Sequence, residues 1–149
     1  MKVAIGSDHA GYELKEFIKR TLEGKGYILI DAGTKTEESV DYSDYAFKTA
    51  QLVADGVADR GVLICGTGVG MSIAANKVKG IRASLAQDLY TAIQSRKHLD
   101  ANVLVLGARV IGKGLAEEIV KAWFETPFEG GRHKARVEKI RKWEEEHLK

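Results

Sequence analysis

Cysteine is almost absent from this sequence, which contains one among 149 residues. A single cysteine cannot form a disulfide within the chain, so the sequence lacks the cysteine pattern of a small secreted domain. Proline is equally scarce, Pro127 being the only one, and no linker, repeat or low-complexity tract interrupts the chain. These absences predict one folded domain over residues 1–149.

Long apolar runs and a strong net charge are also missing. The run Met1–Ile5 stops at Gly6, which is too short for a signal peptide, and no segment has the roughly 20 apolar residues that span a bilayer. A net charge of +2 favours neither nucleic acid nor a membrane surface as partner. With 44% hydrophobic and 30% charged residues, the chain is typical of a globular protein, which we expect in the cytoplasm.

Short β-branched runs alternate with helical periodicity along the whole chain. The predicted strands are Lys2–Gly6, Tyr27–Ile30, Val62–Ile64, Ile81–Leu85 and Asn102–Gly107. The predicted helices include Tyr42–Ala54, a helix that ends near Lys79, Asp88–Arg96, Lys113–Phe124 and Arg132 to about His147. This alternation indicates an α/β fold: a three-layer α/β/α, Rossmann-like domain with a five-stranded parallel sheet and a C-terminal helix.

The stretch Cys65–Ser72, which reads CGTGVGMS, joins a buried strand to the start of a helix. Its alternating glycines let the backbone approach a ligand closely. A strand, a glycine turn and a helix start also direct free N–H groups and the helix dipole at one point, which favours a bound anion. The lone cysteine lies at the carboxyl end of the strand, where open α/β sheets place ligands.

Other interpretations of this stretch remain open at this point. The simplest is a tight turn with a small buried cysteine. A dinucleotide site is disfavoured because the glycines follow GxGxG rather than GxGxxG, and a nucleotide phosphate loop would need a Gly-Lys-Ser/Thr ending. A cysteine phosphatase would need arginine where Met71 stands.

Candidate polar residues flank the glycine stretch in the sequence. Asp8 and His9 follow the first strand, so they should share a sheet edge with Cys65, although Asp8 is equally consistent with a helix N-cap. His98 precedes the last strand, so it should lie at the opposite edge of the sheet. Within a single chain, a histidine on the surface is the simpler interpretation. Across a dimer it could reach a neighbour's site.

Arginines supply candidate phosphate ligands near the end of the chain. Arg132 and Arg136 lie one helical turn apart. Two like charges at that spacing destabilise an exposed helix by roughly a few tenths of a kcal/mol. They are consistent either with a solvated face or with a phosphate clamp, since guanidinium groups bind phosphate bidentately. Arg109 is a third candidate. The histidines and the cysteine show no metal-ligand spacing, and we expect neither a metal nor a cofactor.

Five segments in order carry a resemblance to a known family. They are Gly6–Gly11 (GSDHAG), Glu38–Tyr42 (ESVDY), Cys65–Lys77 (CGTGVGMSIAANK), Gly80–Ala83 (GIRA) and Glu129–His133 (EGGRH). Over nearly its whole length the chain resembles the type B ribose-5-phosphate isomerases, a family that includes allose- and galactose-6-phosphate isomerases. The resemblance implies a metal-free aldose–ketose isomerisation of ribose 5-phosphate through an enediolate.

The resemblance also implies roles for individual residues. Cys65 matches the general base, in the branch of the family that has no glutamate at the position of Met71. His98 matches the residue that opens the furanose ring. Oxyanion contacts are implied for the Thr67 hydroxyl and for the backbone N–H groups of Gly66, Gly68, Val69 and Gly70. Asp8 and His9 would hold the sugar hydroxyls and the phosphate side. Phosphate contacts are implied for Arg109, Arg132 and Arg136.

Leu99 departs from the family, which usually has asparagine after the histidine. Leucine cannot make the amide's sugar contact, which leaves a six-carbon sugar phosphate such as allose 6-phosphate as an alternative substrate. A sugar-phosphate-binding protein without turnover is a second alternative. The resemblance further implies a homodimer or a dimer of dimers with shared sites.

Overall fold

A computed structural model describes residues 1–148 as a five-stranded parallel sheet with helices on both faces, which confirms the predicted three-layer fold. The strands are β1 (Lys2–Ser7), β2 (Ile28–Gly33), β3 (Arg60–Cys65), β4 (Ala83–Leu85) and β5 (Val103–Gly107). The helices are α1 (Tyr12–Gly24), α2 (Tyr42–Ala54), α3 (Val69–Ala75), α4 (Leu89–Leu99), α5 (Lys113–Glu125) and α6 (Arg132–His147). In this part of the chain, no helix combines the length and apolar character needed to cross a lipid bilayer.

The strand order β2-β1-β3-β5-β4 puts β3 at the centre of the sheet. All neighbouring strands are parallel, so every strand ends at the same edge. Residues Val62–Ile64 are completely buried because helices cover both faces of this strand. Cys65 therefore ends the central strand, in the middle of the edge where such sheets bind ligands.

Two hydrophobic cores flank the sheet because successive side chains of a strand point to opposite faces. Val62 and Leu104 contribute to one core, which contains the fully buried Trp123 of α5. Leu63 and Val105 contribute to the other, which α2 and α3 cover. Helix α6 packs beside α4 rather than on the sheet.

The residue at which β2 ends depends on a buried ion pair, which the hydrophobic periodicity of the sequence does not predict. β2 reaches Gly33 instead of ending at Ile30. Asp31 is accommodated in the strand because the fully buried Lys15 of α1 places its Nζ 2.7 Å from the carboxylate. Burial raises the pKa of Asp31, but hydrogen bonds from Lys15 and Lys19 outweigh it and hold the pKa below its usual value.

Helix ends also differ from the predicted ones, for local reasons. α3 ends at Ala75 rather than near Lys79, because the Asn76 side chain donates to the Ser72 carbonyl and accepts from the Ala83 N–H. β4 is correspondingly shorter than predicted and begins at Ala83. α4 continues past Arg96 to Leu99, so His98 lies in its final turn rather than in a loop.

The turn from β3 into α3 requires glycine at position 68. Gly68 has φ +85°, a left-handed conformation that side chains disfavour. A Cβ there would lie 2.5 Å from Cδ1 of Leu85 and 3.2 Å from the Leu106 carbonyl. The same turn packs on β5, since a Cβ on Gly107 would lie 2.5 Å from the Thr67 carbonyl oxygen. The loop is therefore wedged against the sheet with no room for a side chain.

We expect Gly68→Ala to lower the free energy of unfolding by about 2–4 kcal/mol, because backbone strain and overpacking add. Gly24→Ala is the matched control, since Gly24 ends α1 with no atom within 4 Å of an added Cβ. The control should change stability by about 1 kcal/mol at most. Urea unfolding of both variants measures this, and equal effects would contradict the tight packing of the turn.

Candidate active site

Cys65 and the glycine turn form a compact loop at the carboxyl edge of the sheet. The Cys65 side chain is buried, and its Sγ accepts a hydrogen bond from the Gly68 N–H at 3.2 Å. The Val69 N–H likewise donates to Thr67 Oγ1 at 3.2 Å. Two of the predicted anion-binding donors are thus occupied within the loop. The Gly68 N–H therefore fixes the position of the sulfur within the loop.

The donors at the two ends of this loop are open. Among the described residues, no hydrogen-bond partner is found for the N–H groups of Gly66 and Gly70. Gly70 belongs to the first turn of α3, where N–H groups point away from the helix without a partner. The Thr67 hydroxyl accepts from Val69, which leaves its own proton available to a ligand.

Neighbouring strands hold the loop in place. The Ala108 and Arg109 N–H groups donate to the carbonyls of Cys65 and Gly66 at 2.8 and 2.9 Å. Gln87 bridges the loop to β5, because its amide donates to the Thr67 carbonyl and accepts from the Gly107 N–H. The loop is therefore preorganised by contacts with β5 and with the segment after β4.

Two residues beside the loop were missed by sequence reasoning. The Tyr42 ring at the start of α2 covers Gly70, where an added Cβ would lie 2.7 Å from Cε2. Gln87 is the other. Their positions in the sequence could have indicated both residues. Tyr42 belongs to the segment Glu38–Tyr42, which resembles the family, and Gln87 follows a strand at the ligand-binding edge.

The side chain of Arg109, a predicted phosphate ligand, lies beside the loop. An added Cβ on Gly66 would lie 3.5 Å from Nη1 of Arg109, so the guanidinium group borders the loop. This places one permanent cation next to the open N–H of Gly66.

Asp8 and His9 also reach this edge. The Asp8 N–H donates to the Ile64 carbonyl at 3.2 Å, which ties the end of β1 to the end of β3. The Asp8 carboxylate accepts from the Gly11 N–H at 3.1 Å, so it closes the turn before α1 and is not the helix N-cap, which is Gly11. His9 Nδ1 accepts from the Val40 N–H at 3.1 Å, so a proton on the neutral ring resides on Nε2.

His98 lies in a separate cluster. Helix α4 starts after β4 and runs back across the sheet, which carries His98 roughly 14 Å along the helix from the ligand-binding edge. Its ring stacks on His133 of α6, with centroids 4.0 Å apart and planes at 12°. Arg132 and Arg136 are exposed on the same helix as His133. One chain therefore groups the predicted site residues in two places.

Three potential metal ligands occur in this second cluster, although the sequence showed no metal-ligand spacing. The ligand atoms of His98, Glu129 and His133 lie within 4.8 Å of one another. The nitrogen lone pairs of two stacked rings lie in separate, nearly parallel planes. A metal bound by both rings would have to lie in both planes, so this geometry does not suit a shared ion. The arrangement is that of a stacked pair.

An apolar groove adjoins the second cluster. It lies between β4 and the later part of α6, and Leu99, Ile140 and Trp143 line it while remaining about half exposed. The Leu99 side chain faces this groove, and its carbonyl accepts from Arg82 Nε at 3.0 Å. Leu99, which departs from the family pattern, is thus part of an exposed apolar surface.

Known sugar-phosphate isomerases are similar to this protein over almost its entire chain. Ribose-5-phosphate isomerase B of Escherichia coli K12 is 52% identical over 139 residues, 93% of each chain. The D-erythrulose-4-phosphate isomerase of Pectobacterium atrosepticum is 47% identical, over 94% of this chain and 93% of its own. The structure of Clostridium thermocellum ribose-5-phosphate isomerase B matches with a TM-score of 0.97 at 53% identity, over 99% of both chains.

The family model that matches is described as Ribose/Galactose Isomerase, and it spans residues 3–140. That range includes the loop at the carboxyl edge and the cluster around His98. The chain therefore belongs to the ribose/galactose isomerase family.

Proposed function

We propose that this protein interconverts ribose 5-phosphate and ribulose 5-phosphate through an enediolate, as part of pentose phosphate metabolism. The observation that carries the proposal is Cys65 Sγ at the end of the central strand, next to the open N–H groups of Gly66 and Gly70. A base beside oxyanion donors is the arrangement that proton transfer next to a carbonyl requires. The named activity of the E. coli relative supports the choice of substrate.

The reaction can be written on the open-chain aldose. The Cys65 thiolate removes the proton from C2, the C2–H electrons form the C1=C2 bond, and the carbonyl electrons move to O1. The loop N–H groups stabilise the negative charge on O1. The thiol then returns its proton to C1 while the O2 proton moves to O1, which leaves the ketone at C2. The Thr67 hydroxyl is placed to donate to either oxygen.

Other residues at the loop would hold the substrate. The Asp8 carboxylate and the Nε2–H of His9 provide an acceptor and a donor for sugar hydroxyls or the phosphate end. Arg109 adds a cation beside Gly66. Arg132 and Arg136 complete the phosphate site, because a bound dianion removes the repulsion between two arginines one turn apart.

A second copy of the chain would bring the two clusters together. His98 would open the furanose ring, yet α4 holds it away from the Cys65 of its own chain. We therefore assign the working site to a homodimer or a dimer of dimers, in which His98, Arg132 and Arg136 face the partner's loop. The exposed apolar groove beside His98 supports this assignment, because large apolar patches mark interaction surfaces.

The substrate alternatives follow from Leu99. Its side chain lines the groove and can form no hydrogen bond to a sugar hydroxyl, so a six-carbon sugar phosphate such as allose 6-phosphate is the second candidate. The relative named D-erythrulose-4-phosphate isomerase indicates that substrates differ among similar chains. Binding without turnover is the third candidate, and the presence of both Cys65 and His98 speaks against it.

We expect the purified protein to isomerise ribose 5-phosphate and Cys65→Ala to lose at least about a thousandfold in kcat, because the variant lacks the group proposed to move the proton between C2 and C1. The control is binding of inorganic phosphate measured by calorimetry, which should persist in the variant since the proposed phosphate ligands Arg109, Arg132 and Arg136 are unchanged. Rates on allose 6-phosphate measured in parallel identify the preferred substrate. Residual turnover within about tenfold of wild type would exclude Cys65 as the base, since that is only about 1.4 kcal/mol in barrier.

Mixing two inactive variants tests the shared site. In a dimer of Cys65→Ala with His98→Asn, one of the two sites has both residues intact if each site draws on both chains. After equal mixing and subunit exchange, about a quarter of wild-type turnover of ribose 5-phosphate should return, since half the dimers are mixed. Exchange confirmed by mass spectrometry with no recovery of activity would show that each chain works alone.

A further inference from the structure

The stacked pair of His98 and His133 joins α4 to α6. The rings are nearly parallel, at 12°, with centroids 4.0 Å apart. His133 is buried, with 7% of its surface exposed, whereas His98 is only partly buried. One face of the His98 ring is therefore covered by a fixed ring, while part of the side chain remains accessible to a ligand.

The backbone on both sides of His133 is anchored. The Glu129 N–H donates to the Lys97 carbonyl at 3.1 Å, which attaches the segment before α6 to the last turn of α4. The His133 N–H donates to the Gly130 carbonyl at 3.0 Å at the start of α6. Val137, one turn further along, is buried on the same face of α6. His133 thus occupies a rigid position relative to His98.

A fixed aromatic surface restricts how the His98 ring can turn. An imidazole has a broad preference about its second side-chain torsion, so an unsupported histidine samples many ring orientations. Parallel stacking is favourable only over a narrow range of orientations. Proton transfer needs a nitrogen held within hydrogen-bond reach of its partner atom, and small misplacements lower rates substantially.

The charge state of His133 suits this arrangement. Burial lowers the pKa of His133, and charge interactions with His98, Arg132 and Arg136 lower it further against the opposing effect of Glu129. This shift favours the neutral form of the His133 ring. A neutral neighbour lets His98 take up a proton during catalysis without like-charge repulsion across the stack.

We propose that His133 is a positioning residue, which fixes the ring of His98 by stacking so that His98 can open the furanose ring. The proposal rests on the ring-opening role proposed above for His98. It assigns no contact between His133 and the substrate, since His133 acts through the orientation of its neighbour.

Two substitutions separate the stack from the imidazole chemistry of His133. His133→Phe retains an aromatic face and should keep turnover of ribose 5-phosphate within about threefold of wild type. His133→Leu removes the face and should lower it by at least about tenfold, as expected for a misplaced proton-transfer group. Turnover of ribulose 5-phosphate, which has no furanose ring to open, should change by less than about threefold in both variants.

Val137→Ala is the control for general loosening of α6, because it removes packing on the same face without touching the stack. It should leave the ratio of the two rates unchanged. If His133→Leu does not fold, His133→Asn replaces it as the variant without an aromatic ring. A loss in His133→Leu that is equal for both substrates, or that Val137→Ala reproduces, would overturn the proposal.

Proton NMR tests the stack without any activity. The ring-proton resonance of His98, assigned by its loss in His98→Asn, should be shifted by the neighbouring ring in wild type and His133→Phe and should move in His133→Leu. An unchanged resonance in His133→Leu would overturn the stack itself. Should His98→Asn slow both substrates equally, the ring-opening role fails. If His98→Asn is selective and His133→Leu is not, only the role of His133 fails.

Discussion

The left-handed backbone at Gly68 is the constraint on which the candidate site depends. It turns the chain sharply after the central strand, so that the Gly68 N–H donates to Sγ of Cys65 and α3 begins at the next residue. The absence of a side chain allows the turn to lie directly on Leu85 and the backbone of β5. Gln87 and Arg109 then fix the carbonyl side of the loop. A flexible loop would lose the preorganisation that oxyanion stabilisation requires.

A second constraint is the direction of α4. A helix that connects parallel strands must return to the opposite edge of the sheet, so a residue at its end cannot meet a loop at the strand ends. His98 is such a residue, and α6 brings His133, Arg132 and Arg136 to the same end of α4. The fold therefore separates the proposed base from the proposed ring-opening residue, and association of two chains would unite them.

Features set by local sequence were predictable here, and features set by contacts between distant elements were not. The extents of α2 and α6 and the glycine turn followed from periodicity and glycine spacing. The burial of Lys15 did not, because it depends on Asp31 in another element. The stack of His98 on His133 could not be predicted for the same reason, since the packing of α6 against α4 brings the two residues together.

The most direct test of the account is the crystal structure of the protein with ribulose 5-phosphate bound. We predict Cys65 Sγ within roughly 3–3.5 Å of C1 and C2, the distance of a near-attack geometry, with the adjoining oxygens on the loop N–H groups. His98 and Arg132 of the second chain should face the same sugar. A sugar bound with C1 and C2 away from Cys65, or a site completed within one chain, would contradict the account.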